Sequence, residues 1–352
     1  MAGTKKRNKN HKSLIAENRF KKTSNTSLRN KSSQKKKSKS ASNSGSSSSS
    51  NFLIKFFKKI THFFLRIIWG LTWRTSLIVF LGITSAVSYY YFNMKEFSSF
   101  LDERARGSVT LEDYKGEVFA WRGDNFSKNL TAKNISPHLK NAILATEDRG
   151  FYSHVGISPR GIGSAVFINL REGRGPLSGH GGSTITQQTA KLVCLGKPFS
   201  QADWNSEKDY EASCRTSTIW RKIKEALYAL SLEFKFSKDE ILTIYINRVF
   251  LGAGTRGFEA AAQRYFGKSA KIVNPSEAAM LAGLLKAPTR YAPTNNLKRS
   301  QERANLIIGL MENQNFLSKA EAKFARENPA TLSKFAQAKA GGYFADWVMA
   351  SL

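Results

Sequence analysis

Gly182-Ser183-Thr184-Ile185-Thr186-Gln187-Gln188-Thr189-Ala190-Lys191 is the stretch on which the reading of this chain turns. It is a run of hydroxyl and amide side chains entering a helix, with one ammonium near its end. Upstream stands Glu147-Asp148-Arg149-Gly150-Phe151-Tyr152-Ser153-His154-Val155-Gly156, and downstream Arg221-Lys222-Ile223-Lys224-Glu225. Around these segments apolar residues recur at helical spacing: Leu139, Ile143 and Leu144; Ile241, Leu242, Tyr245 and Ile246; Ala278, Leu281, Ala282 and Leu285; Leu306, Ile307, Leu310 and Met311. Strand-like alternation is rare outside Gly116–Trp121, so the fold is predominantly α. Ser237 and Glu240 form a capping-box pattern before Ile241, and Asn274-Pro275-Ser276-Glu277 starts another helix. Lys191 then falls near the end of one helix, Glu225 in the middle of another, and Glu147 where a helix gives way to a loop.

Displacement at an anomeric carbon needs a carboxylate to take the proton of the attacking hydroxyl and cations to neutralise a phosphate leaving group. Glu147 and Glu225 are the acidic candidates, and Lys191, Arg221, Lys222 and Lys224 the cationic ones. Arg221 and Glu225 share a helix face opposite the arc of Ile223, Ala226, Leu227 and Leu230. Such a pair is ordinarily an exposed ion pair worth a few tenths of a kcal/mol. That face continues into Tyr228 and Leu232, which points to burial and to a functional role. By the same token, a Ser-Thr-Gln-Gln run taken alone is a polar helix start, and a lone His in a loop is more often structural than catalytic.

Taken in order, the three segments resemble the motifs of the peptidoglycan glycosyltransferase family, over roughly residues 115 to 315. These enzymes occur alone or as the first catalytic domain of class A penicillin-binding proteins. The resemblance implies a mainly α, lysozyme-like domain with a small mobile jaw subdomain. It implies Glu147 as the base that deprotonates the acceptor lipid II, and attack on C1 of the growing glycan strand, with inversion and release of undecaprenyl pyrophosphate. Asp148 and His154 shape the loop, with Phe151 as its packing anchor. Gly182, Ser183, Thr184, Gln187, Gln188 and Lys191 hold sugar and pyrophosphate oxygens, together with Arg221, Lys222 and Lys224. Glu225 positions substrate or shares a divalent cation, Mg or Mn, with the pyrophosphate; no other cofactor is implied. Ile241–Asn247 with Phe250-Leu251-Gly252 resembles a fourth motif, mostly core, from which Asn247 is singled out as a substrate contact. Arg171–Gly181 reads as a mobile loop near the cleft.

Some positions depart from the family pattern. Arg215 precedes Arg221 by six positions instead of four, Ser158 stands where an acid is frequent, and Ser164 where a base is common. An acidic insert, 197–213, is bracketed by Cys194 and Cys214, which sequence leaves open as a disulfide or as two buried thiols.

Residues 1–74 hold 19 Lys and Arg against the single acid Glu17, so they carry most of the net charge of +29. Residues 1–50, rich in Lys, Ser and Asn, are too polar to fold, and 51–74 reads as a basic amphipathic segment on a membrane surface. Residues 75–93 have no formal charge and are flanked by Trp73 and Tyr89-Tyr90-Tyr91, a transmembrane helix with its N-terminus cytoplasmic and the rest of the chain outside the cytoplasm. The basic tail beside it is a topology signal drawn to anionic membrane lipids, not a nucleic-acid arm. Residues 94–330 form the glycosyltransferase domain. Residues 331–352 read as a linker or the start of a following domain, Gly341–Met349 resembling the junction to a transpeptidase; the transpeptidase motifs themselves are not found. Expected partners are lipid II, the glycan strand, membrane lipids and cell-wall synthesis proteins. Two other classes fit less well. A glycan-cleaving enzyme of lysozyme-like architecture would have no use for the cations, and a non-catalytic membrane-anchored scaffold would make both glutamates coincidental.

Overall fold

The computed structural model describes residues 48–102, 109–112, 114, 115, 118–122, 130–176, 181–200, 202–216, 218–337, 347 and 351. The tail up to residue 47, much of the 331–352 stretch and part of the 171–181 loop lie outside them. Two compact units divide the chain, one ending at Ile68 and the other comprising Trp69–Leu352. The described part of the first is the beginning of helix α1 (Ser48–Asn93). The two segments expected at 51–74 and 75–93 are thus one helix, and Ser48–Ser50, expected to be unfolded, form its first turn. No proline interrupts the stretch, and Gly70 and Gly82 each cost only about 1 kcal/mol. Its Ile54–Asn93 portion, 40 residues, is long and apolar enough to cross a membrane. At 1.5 Å per residue it measures about 60 Å, so a hydrocarbon core of ~30 Å takes up only about half.

In the second unit, α2 (Phe97–Asp102) precedes strands β1 (Val109–Glu112) and β2 (Val118–Arg122). They pair antiparallel, Thr110 opposite Trp121, with a register shift between Leu111 and Glu112. β2 coincides with the alternating stretch. Helices α3 (Pro137–Glu147), α4 (Pro159–Arg171), α5 (Ile185–Leu192), α6 (Glu207–Cys214), α7 (Ile219–Lys235), α8 (Lys238–Arg248), α9 (Phe258–Phe266), α10 (Pro275–Gly283), α11 (Pro288–Tyr291), α12 (Leu297–Asn313), α13 (Lys319–Glu327) and α14 (Lys334–Gln337) follow.

α10 is buried all round from Ser276 to Gly283, as an apolar helix without a polar face must be. Its small Ala278, Ala279, Ala282 and Gly283 let α3 and α12 pack closely against it. α8 is likewise buried from Ile241 to Ile246, and α5 lies against both α7 and α8. Reciprocal capping boxes start α8 (Ser237, Glu240) and α10 (Asn274, Glu277), as the sequence suggests. Loss of such a cap typically costs about 1 kcal/mol. This core holds the C-terminus of α3, the length of α5, and the Glu225–Leu232 stretch of α7.

α7 buries Glu225, Tyr228, Ala229, Ser231 and Leu232. The apolar arc does not supply the inward face: Ile223 is exposed, and Ala226, Leu227 and Leu230 are only partly covered. Ile219, Trp220 and Phe234 are exposed on the same helix, and Ile162, Phe167 and Leu170 on α4. The end of α1 is tied to α7, because Ser231 Oγ donates to Val87 O at 3.0 Å and the Tyr90 ring meets Tyr228 edge-on at 5.3 Å. Lys235 Nζ also donates to Met94 O.

Candidate active site

Glu147 is the last residue of α3 and stands half-buried on the wall of a cleft of about 1110 Å³. Asp148, His154, Gly182, Ser183 and Thr184 line the same cleft, with Arg149, Arg160 and Ser164 beside them. Burial is the main reason the Glu147 carboxyl is raised above its ordinary 4.5, and the charge of Asp148 adds to it. Opposing this, in order, are the hydrogen bond from Gln188 and the positive charges of Arg303 and Lys191. Gln188 Nε2 donates to Glu147 Oε2 at 2.8 Å, while Tyr245 Oη donates to Gln188 Oε1 at 3.2 Å. The amide is therefore fixed from behind and presents its donor to the carboxylate. Tyr245 is fully buried and its hydroxyl is pushed well above the usual value, chiefly by burial and then by Glu147, so it stays a neutral donor.

Asp148 is occupied differently. Its oxygens lie 2.9 and 3.0 Å from His154 Nε2, and since a carboxylate only accepts, that nitrogen carries the proton. Asp148 Oδ2 also accepts from Ile185 N at 3.0 Å, at the positive end of α5. The pair thus staples the loop after Glu147 to the helix carrying Lys191. Phe151 is fully buried beneath the loop. A further network escaped sequence reasoning: Glu233 Oε1 accepts from Thr186 Oγ1 at 2.5 Å and from Lys238 Nζ at 2.8 Å, and Lys238 Nζ donates to His154 O at 2.6 Å. The signal available for it was only that Lys238 follows a capping serine.

The residues of the central stretch divide by use. Thr184 and Gln187 cap α5 reciprocally, and Thr184 Oγ1 donates to Gly156 O at 2.5 Å, so both build the helix start. Gly182 is required sterically, because a Cβ there would stand 2.7 Å from Ile162 Cα and 2.8 Å from Gly161 O. Ser183 Oγ accepts from Lys222 Nζ at 2.7 Å, and Lys222 also reaches Glu225 Oε1. Glu225 is 2 % exposed, with its Oε2 3.3 Å from Arg221 Nη1 but outside hydrogen-bond geometry. Its single charge faces a crowd of cations. Lys191 is lowered from 10.5, by burial first, with Arg221, Lys222 and Arg215 lowering it further and Glu225 opposing them. The altered spacing of Arg215 therefore does not remove it from the cluster.

A resident divalent cation fits this donor set poorly. Glu225 is the one carboxylate among these cationic side chains, its Oε2 accepts no hydrogen bond but is paired with Arg221, and no group of three or more His, Cys, Asp and Glu comes together among the described residues.

Two expected contacts are placed elsewhere. Asn247 Nδ2 donates to Leu130 O and Thr243 O, both at 2.7 Å, and its Oδ1 accepts from Leu130 N at 3.1 Å, so its amide is consumed in clamping the chain before α3. Lys224 does not line the cleft; with Arg221 it lines a second cavity. Ser158, where an acid is frequent, caps α4 through Gly161 N at 3.1 Å.

Cys194 and Cys214 form a disulfide with Cα atoms 5.2 Å apart, which settles the alternative left open by the sequence. The bridge closes the insert that holds Arg221: Nη1 donates to Cys214 O at 3.0 Å and Nε to Thr216 O. Closing a loop of 20 residues contributes about 3 kcal/mol in the chain-entropy model. Replacing both cysteines by serine is expected to lower Tm by roughly 6–12 °C and to reduce turnover by loosening Arg221 beside Glu225. Peptide mapping without reductant should show the cross-linked pair; two free thiols in protein made in an oxidising compartment would refute it.

Residues 115–312, more than half of the chain, match the transglycosylase family. The chain is 38% identical over 236 residues to penicillin-binding protein 1A of Aquifex aeolicus, covering 67% of this chain and 30% of that protein. It is 40% identical over 218 residues to penicillin-binding protein 1A of Haemophilus influenzae, covering 62% and 23%. To penicillin-binding protein 1B of Vibrio cholerae it is 37% identical over 203 residues, covering 56% and 23%. The aligned segments thus span under a third of those relatives. The match runs through the α3 end, the α5 stretch and the α7 cation cluster that the geometry brings together, and on it the chain belongs to the transglycosylase family.

Proposed function

We propose that the chain is a membrane-anchored peptidoglycan glycosyltransferase that extends glycan strands from lipid II. The carrying observation is the juxtaposition, through α5, of one desolvated carboxylate at a cleft with a separate cluster in which Lys191, Arg215, Arg221 and Lys222 outnumber the lone Glu225. Glu147 takes the proton of the acceptor hydroxyl as its oxygen bonds to C1 of the donor sugar. The bond from C1 to the pyrophosphate oxygen breaks on the opposite face, giving inversion, and the electron pair leaves with undecaprenyl pyrophosphate. Lys191, partly buried, and the more exposed Lys222 neutralise that charge. Glu225 holds Arg221 and Lys222 in place and offsets their repulsion. A glycan hydrolase has no comparable anion to stabilise, which disfavours the cleaving alternative.

The exposed apolar side chains of α4 and α7 suit a bilayer surface, where a lipid-linked substrate must be met. With the basic flank of α1 on its N-terminal side, the domain stands outside the cytoplasmic membrane with the N-terminus inside. The full chain in detergent, given labelled lipid II, is expected to produce glycan polymer and release the lipid pyrophosphate. Release of shorter fragments from preformed glycan, without polymer, would support the hydrolase instead.

A further inference from the structure

A second cavity, of about 360 Å³, shares no lining residue with the catalytic cleft. The bridged Cys194 and Cys214 line it, and the insert supplies Lys197, Trp204 and Tyr210. We propose that this cavity binds the phosphate headgroup of an anionic glycerophospholipid at the end of α1. The inference rests on the reading that α1 crosses the membrane, and not on the glycosyl transfer chemistry.

Charge points to the ligand. Lys197, Arg221 and Lys224 line the cavity and, among the described residues, no carboxylate does. Arg221 is engaged with Cys214 O, Thr216 O and Glu225, but the exposed ammoniums of Lys197 and Lys224 have no ion-pair partner among the described residues. Asp209, an acid of the same insert, accepts instead from Ser206 Oγ at 2.7 Å. Two lysines held at one opening without a counter-charge suit a phosphodiester.

Position points to a lipid as its source. Tyr90 lines the cavity and belongs to the last turn of α1, whose end is held on α7 by the Ser231 hydrogen bond and the Tyr90–Tyr228 contact. The opening therefore lies where an apolar helix leaves the hydrocarbon, the depth at which headgroups and interfacial aromatics meet. Trp204 packs edge-on against Tyr210 at 5.9 Å, and Tyr210 Oη donates to Lys197 O at 2.5 Å, fixing the backbone that carries one of the lysines. Trp220, which also lines the cavity, and its neighbour Ile219 are each 75% exposed, a surface suited to acyl chains and wasted on free phosphate.

The test uses the full chain in nanodiscs of phosphatidylcholine with a minor share of phosphatidylglycerol, extracted into mild detergent and weighed by native mass spectrometry. One retained phosphatidylglycerol is expected, with its preference over phosphatidylcholine falling roughly thirtyfold in Lys197→Ala/Lys224→Ala, from the usual contribution of two lysines at an anionic surface. Trp204→Ala should also release the lipid while leaving every charge in place. The control pair Lys298→Ala/Lys319→Ala, of equal charge change, should retain it, as should wild type in millimolar inorganic phosphate. Retention by the Lys197/Lys224 variant with an unchanged melting curve, absence of preference in wild type, or displacement by phosphate alone would each overturn the proposal. Polymerisation of lipid II by the same preparations is scored separately, so failure of the lipid site and failure of the enzymatic reading are distinct results.

Discussion

Glu147→Gln is expected to leave the fold intact and to lower lipid II polymerisation by about 10²–10⁴-fold, the usual contribution of a positioned general base. The amide has the shape of the carboxyl, and its oxygen can still accept from Gln188 Nε2, so the melting temperature should hardly move. What it cannot do is take the hydroxyl proton. The pH profile supplies an independent check. The working form is the carboxylate, so the rate falls as pH drops through the Glu147 pKa, and burial places that acid limb above 4.5. The Gln188 hydrogen bond favours the charged form, so Gln188→Ala should move the limb to higher pH. Wild-type-like chain production by Glu147→Gln would remove this residue from the mechanism.

Lys191→Ala is expected to cut turnover by about 10²–10³-fold, the scale found when one preorganised donor to developing charge is removed. The loss should fall on kcat more than on KM, because negative charge on the leaving pyrophosphate grows toward the transition state. Lys191 stands where Arg215, Arg221 and Lys222 already disfavour its charge, an arrangement that an incoming anion relieves. A variant altered only in membrane association, with turnover per bound enzyme intact, would show that Lys191 serves the bilayer and not the reaction.

Much of this was readable from short-range pattern. The caps at Ser237 and Asn274, the apolar run before Asn93, and the placement of Glu147, Lys191 and Glu225 on their helices depend on residues within a few positions of one another, so sequence spacing specifies them. The inward turn of the Glu225 face was legible too, because Tyr228 and Leu232 continue it.

Packing between distant segments decided the rest. The identity of Gln188 announces a polar side chain, but only the meeting of α3, α5 and α8 turns its amide onto Glu147 with Tyr245 behind it. Asn247 has the composition of a ligand, yet the chain before α3 passes close enough for its backbone to take both ends of the amide. The meeting of Thr186, Glu233 and Lys238 could not be read locally, since each belongs to a different helix and the capping serine before Lys238 says nothing of its partners. The apolar arc of α7 was marked as a face by its periodicity, which does not say what that face meets. By itself, then, the sequence determined two helix caps, an apolar run long enough to cross a membrane and the chemical inventory of the site, all properties of neighbouring residues. Tertiary structure alone decided which side chain meets which, whether the two cysteines join, and which candidate contacts are spent on holding the fold, because these depend on distances between residues far apart in the chain.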